Sequence, residues 1–140
     1  MQPASVALFG QAAKGEHNTL YRCNSIEELF SYFGEPPSDS EGIFHAIQTL
    51  LYGRSLLYYR VHEEGMSIND YLQGLHLLRD PSNKVPAIGA LFLPRIGVEE
   101  VIEEGIQVCK LHKSLLFIKE SDLYDYLTEQ PNQRKNNVCF

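Results

Sequence analysis

Two stretches of this chain narrow its architecture sharply. Ala87-Ile88-Gly89-Ala90-Leu91-Phe92-Leu93 and Leu115-Leu116-Phe117-Ile118 are almost continuous in apolar residues. A strand with one wet face alternates apolar and polar side chains, whereas an unbroken apolar run is covered on both faces. The segment between the two runs has helical periodicity, and another helical segment follows the second run. Alternation of this kind implies crossover connections and mostly parallel pairing.

The first half carries the same alphabet. Val6-Ala7-Leu8-Phe9 and Thr19-Leu20-Tyr21-Arg22-Cys23 read as extended runs, and Leu56-Leu57-Tyr58-Tyr59-Arg60-Val61 as a third. Ser25 with Glu28 three residues on forms a capping box. Ile26, Leu29, Phe30 and Phe33 follow at helical spacing, and Gly34 stops the helix. After the turn Glu35-Pro36-Pro37-Ser38-Asp39, Ser40 is expected to cap a second helix with Ile43, Phe44, Ile47, Leu50 and Leu51 inward and Gly53 at its end. Ser67 with Asp70 opens a third, with Ile68, Tyr71, Leu72, Leu75 and Leu78 inward, and Asp80-Pro81-Ser82-Asn83 breaks it. A fourth spans about Val98 to His112 on Val98, Val101, Ile102, Ile106 and Cys109; its acidic start and Lys110 and Lys113 at its end suit the helix dipole. Ser121 is expected to cap a last helix through about Thr128.

The predicted order is strand, strand, helix, helix, strand, helix, strand, helix, strand, helix. It implies one α/β domain over residues 1–130, with about five strands in a mostly parallel or mixed sheet flanked by helices. Residues 131–140 read as a polar C-terminal tail. Glu63-Glu64-Gly65 is the softest internal joint.

Composition removes several functions. A net charge of −6 argues against a nucleic-acid surface and against an anionic membrane surface. No run approaches the roughly 20 apolar residues of a spanning helix. Met1-Gln2-Pro3-Ala4 lacks the basic and apolar regions of a signal peptide. Cys23, Cys109 and Cys139 are odd in number and unpaired in spacing, which fits a reducing compartment and structural roles.

Reaction chemistry is sparse. Gly10-Gln11-Ala12-Ala13-Lys14-Gly15 places its lysine before the second glycine and leads into a strand, so a surface turn is the better reading than a phosphate loop. His17, His45, His62, His76 and His112 lack metal-ligand spacing. His45 is expected to be a partly buried, hydrogen-bonded histidine, and His62 to lie in a solvated turn. Asp122 and Asp125 fall near strand carboxyl ends, where Asp122 suits a helix N-terminus without any catalysis. Glu99, Glu100, Glu103 and Glu104 read as a solvated helix start. No catalytic, cofactor-binding or metal-ligating residue is expected. Tyr58 and Tyr59 point to opposite faces of their strand, which would leave one of them away from the core. With Arg60, Val138 and Phe140 they are the interface candidates, Tyr and Arg being favoured anchors.

In their order, these features resemble the core of contractile phage tail sheath proteins. The carriers are Gly10, Ala12, Gly15 and Asn18, Ser25 to Phe30, Phe33-Gly34, Gly53, and Tyr58 through Val61. Leu72-Gln73-Gly74-Leu75 and Ala90-Leu91-Phe92-Leu93-Pro94 resemble that family's next helix and strand. The likeness spans roughly residues 5 to 120. Glu120-Ser121-Asp122 stands where the family commonly has Asp-x-Pro, and few residues follow Thr128 where sheath subunits carry long arms. The resemblance implies a minimal sheath-like core, a non-enzymatic assembly protein, cytoplasmic or virion-associated. It would bind protein partners: copies of itself or a tail-tube-like component. The alternative is a small α/β ligand-binding regulatory domain or enzyme with its site near Gly10, Pro94 and Glu120, at the strand carboxyl ends.

Overall fold

Every residue of Ser5–Gly10 is buried, as expected of a strand at the centre of a covered sheet. In the computed structural model, which describes residues 4–38 and 40–128, this strand is β1. It is followed by β2 (Leu20–Cys23), α1 (Ile26–Phe33), α2 (Gly42–Leu51), β3 (Leu56–Arg60) and α3 (Ile68–Arg79). Then come β4 (Ile88–Phe92), α4 (Glu99–His112), β5 (Leu115–Phe117) and α5 (Glu120–Thr128). The strand order is β2-β3-β1-β4-β5. β3, β1, β4 and β5 run parallel, and β2 is an antiparallel edge on β3. The fold is therefore α/β with one five-stranded mixed sheet. The tail assigned to 131–140 lies outside the described residues.

Helices cover both faces. Val6, Leu8, Leu56, Tyr58, Ala90 and Phe92 pack with Leu29 and Phe33 of α1, Ile43 and Ala46 of α2, and Leu123, Tyr126 and Leu127 of α5. Ala7, Phe9, Leu57, Tyr59, Leu91 and Leu93 face the other way, onto Tyr71, Leu75 and Leu78 of α3 and Val101, Val108 and Cys109 of α4. The period-two alternation thus survives as alternation between two apolar layers. Tyr58 and Tyr59 are 0% and 1% exposed, so the expectation that one lies outside the core does not hold. A doubly covered sheet has no outer face for it to occupy.

The capping box forms, with a shift. Ser25 Oγ accepts the Glu28 N–H at 3.1 Å, while the Glu28 carboxylate accepts from the Asn24 N–H at 2.7 Å. α2 departs further. Its buried stripe is Gly42, Ile43, His45, Ala46 and Thr49, and Phe44 and Leu51, expected inward, are 49% and 62% exposed. The reason is close approach to the sheet. A Cβ on Gly42 would stand 2.7 Å from the Gly10 Cα and 2.4 Å from Tyr58 Oη. No side chain fits there, so Gly42 fixes which side of the helix meets the sheet, and Phe44 and Leu51 fall away from it. Ser121, expected to cap α5, lies inside that helix, which begins at Glu120. Among the described residues no helix is long and apolar enough to cross a membrane.

Gly42→Ala is expected to destabilise the fold by about 1–3 kcal/mol, because backbone on the far side of the contact has nowhere to move. Gly97→Ala, whose Cβ meets nothing within 4 Å, should stay within about 0.5 kcal/mol of wild type. Urea midpoints at unchanged m values measure both.

Candidate functional site

At their carboxyl ends the parallel strands hand the chain to opposite faces of the sheet. The connection after β1 leads to the α1–α2 layer, and that after β4 leads to α4 on the other side. Neighbouring strands whose connections diverge leave a crevice between them, the usual ligand position in open α/β sheets. Here one side of that crevice is occupied by the protein itself. Glu64 Oε2 accepts the Gln11 N–H at 2.7 Å, the Ser40 hydroxyl at 2.7 Å and the Gly42 N–H at 3.0 Å. Its Oε1 accepts the Glu41 N–H at 2.9 Å. The Gln11 side chain returns the contact, its Oε1 accepting the Glu64 N–H at 2.9 Å. Tyr58 Oη donates to the Gln11 carbonyl at 3.0 Å.

This carboxylate caps α2. The first amides of a helix have no partner within it and carry a partial positive charge. Ser40, expected as the cap, donates to Glu64 instead of accepting from the helix. Glu41 holds the N-cap position without a side-chain cap bond. The segment 63–65 is therefore no soft joint: it bolts the β1 loop to α2.

Beside this anchor lies a second group. Glu41, at the start of α2, His45, one turn on, and Glu120, at the start of α5, bring one ligand atom each within 4.8 Å of one another. His45 is 2% exposed, its ring edge-on to Phe92 of β4 at 5.2 Å between centroids. His45 Nδ1 faces Tyr124 Oη at 3.4 Å, and Nε2 stands 4.0 Å from Glu41 Oε1 and 4.0 Å from Glu120 Oε2. Nε2 is buried without a hydrogen-bond partner. Arg95, just past β4, pairs with Glu41 Oε2. Burial holds the His45 pKa below its ordinary value, against the opposing pull of Glu120 and Glu64, which favours the neutral imidazole.

A third cluster joins the loop after β1 to the start of α3. His17 and His62 stack face to face, 3.8 Å between centroids and 1° between planes. Asp70 accepts from the His62 N–H at 2.8 Å and meets Nδ1 at 2.6 Å. It thus serves the preceding turn rather than a capping box with Ser67, whose Oγ accepts the Glu63 N–H at 2.7 Å. Burial lowers the His17 pKa, helped by the Arg60 and His62 charges and opposed by a hydrogen bond to the Arg60 backbone and by Asp70.

The interface candidates scatter. Tyr58 and Tyr59 are internal, their hydroxyls donating to the Gln11 carbonyl and to Asn18 Oδ1. Neither presents surface to a partner. Arg60 is half-buried and donates to the Gly15 carbonyl, tying down the glycine turn. Val138 and Phe140 lie outside the described residues. Asp122 and Asp125 are exposed on α5. Burial pushes the Cys23 thiol up to about 12, with Glu28 adding to the effect, so it is no nucleophile at neutral pH.

Sequence reasoning misses Glu41 and the capping role of Glu64, and it places Glu120 only near the alternative site at the strand carboxyl ends. The available signal was negative: a helix opening Ser40-Glu41-Gly42 without a capping box of its own needs an acceptor from elsewhere.

Glu64→Gln should cost about 2–3 kcal/mol, because a carboxamide replaces one acceptor oxygen with a donor that faces N–H groups. Chemical denaturation at pH 7 measures it. For His17 the folded pKa lies below the unfolded value of 6.5, so the unfolded chain binds the proton first. Its contribution to stability is full above pH 6.5 and is lost as pH falls below that. His17→Asn should therefore flatten the decline in denaturation midpoint between about pH 7 and pH 5.

No model of a known protein family matches the chain, and no curated protein matches its sequence.

Proposed function

We propose that this domain is a non-enzymatic assembly module similar to the core of a tail sheath subunit, acting through contacts between copies of itself. The observation that carries this reading is the apolar surface left on the α1–α2 layer. Phe44 and Leu51, two turns apart on one side of α2, are 49% and 62% exposed, and Tyr52 beyond the helix is 47% exposed. Phe30 and Tyr32 of α1 add 39% and 37%. Met66, Val98, Leu111 and Ile118 are exposed singly elsewhere, as is ordinary, whereas the α1–α2 layer gathers five large apolar residues, which supports a contact surface there. The sheet adds a second means of contact. β2 and β5 each have one strand neighbour among the described residues, and such edges accept a further strand.

Support also comes from the crevice, where the Glu64 carboxylate is committed to four structural donors. The order of glycine turn, capped helix and Tyr-Tyr-Arg-Val strand agrees with the sheath resemblance. A cytoplasmic or virion-associated setting follows from that resemblance and belongs to the same proposal, as does a tail-tube-like partner. The alternative, a small ligand-binding or enzymatic α/β domain, draws its support from the Glu41–His45–Glu120 cluster.

Sedimentation over a wide concentration range tests the reading. Wild-type protein is expected to gain mass with concentration. The double variant Phe44→Asp, Leu51→Asp should remain monomeric and folded, since both side chains already face solvent. A wild-type chain that stays monomeric at its highest soluble concentration overturns the proposal.

A further inference from the structure

We propose that Glu41, His45 and Glu120 form a binding site for a borderline divalent transition cation, with Zn²⁺ as the fitting probe, bridging α2 to α5.

The site is more than an acidic cluster, because His45 Nε2 is a buried nitrogen aimed at both carboxylates and without a partner. In the tautomer protonated on Nδ1 the ring donates toward Tyr124 Oη and turns the Nε2 lone pair to the carboxylates. Orientation of a ligating imidazole through its other nitrogen is the common arrangement at metal sites. The donor set, one imidazole nitrogen and carboxylate oxygens, suits zinc and its neighbours, while calcium and magnesium prefer oxygen alone. Around zinc, with bonds of about 2.0–2.2 Å, tetrahedral ligand atoms sit roughly 3.3 Å apart. The present separations from Nε2 are 4.0 Å to each carboxylate, and closure asks for a small rotation of both Glu41 and Glu120, whose side chains are 38% and 52% exposed. Three protein ligands leave a fourth position for water. The place also fits, beside the crevice at the carboxyl ends of β1 and β4.

Arg95 competes for this site. Its guanidinium pairs with Glu41 Oε2, on a side chain that is 66% exposed. A cation must share or displace it, which gives the proposal two variants of opposite sign.

The experiment titrates the chelator-treated full chain with Zn²⁺ alone, by calorimetry and by thermal denaturation, with Mg²⁺ as the control. Wild type is expected to bind one Zn²⁺ per chain, and at about a hundred times Kd the melting midpoint should rise by about 5–10 °C. Mg²⁺ should give no rise. Glu120→Gln should keep the metal-free midpoint and weaken Zn²⁺ at least tenfold. Arg95→Gln should tighten it severalfold. His45→Gln should abolish binding, but the Glu120 and Arg95 variants stand even if the buried substitution fails to fold. Absence of Zn²⁺ binding overturns the proposal, as does equal affinity in wild type and Glu120→Gln, which would move the ion elsewhere, for instance to His17, His62 and Asp70. Neither result bears on self-association, which is read separately by sedimentation.

Discussion

One carboxylate holds the two halves of this crevice together. Glu64 answers four donors from two segments far apart in sequence, and without it the first turn of α2 would meet the β1 loop with unpaired amides. The contact matters because α2 sits unusually close to the sheet. Gly10 and Gly42 meet backbone to backbone, with the Tyr58 hydroxyl wedged beside them. Such an approach leaves no room for a side-chain cap from α2 itself, and the acceptor arrives from the loop after β3. A glutamate used in this way is neutralised locally by helix amides and hydroxyls, which is why its negative charge is tolerated next to a core tyrosine.

Much of the framework is legible in the chain. The unbroken apolar runs at β4 and β5 announce a sheet covered on both sides. Ser25, Glu28 and Gly34 bracket α1 because capping chemistry is local. What sequence could not show is whatever depends on partners distant along the chain. Tyr58 and Tyr59 look alike whether a strand has one wet face or none, and only the disposition of α1, α2, α3 and α4 decides. The inward face of α2 was misread for a related reason. Periodicity picks out Phe44 and Leu51, but the close contact of Gly42 with Gly10 turns Gly42, Ile43, His45, Ala46 and Thr49 to the inside. Glu64 looks like half of a charged turn until Gln11 and Ser40 are placed around it. The histidines follow the same rule: His45 gains its meaning from Glu120, which lies 75 positions later.

The two proposals use different parts of the molecule. Self-association would draw on large side chains that α2 turns outward because Gly42 must face the sheet, so the surface and the close core contact have one cause. The cation would sit at the opposite property of the same helix, its polar beginning, where Glu41 and His45 share a side one turn apart. α2 thus links the packing of the sheet, the exposed apolar stripe and the candidate ligand set. A ligand that tightened the α2–α5 junction would act on the same helix that carries the contact residues, and the two properties would be thermodynamically linked.

The reach of the Glu64 contacts also has a consequence for the order in which the chain acquires structure. The bonds to Gln11 span 53 residues and those to Glu41 and Gly42 span 23 and 22. A nascent chain that has emerged only as far as α2 can pack Ile43 and Ala46 on β1 and α1 but has no acceptor for the first amides of that helix. Closure of these loops is entropically costly and is repaid only once β3 has paired with β1. What α2 gains last is its cap: the amides at its start are satisfied only when the turn on the far side of the third strand has arrived.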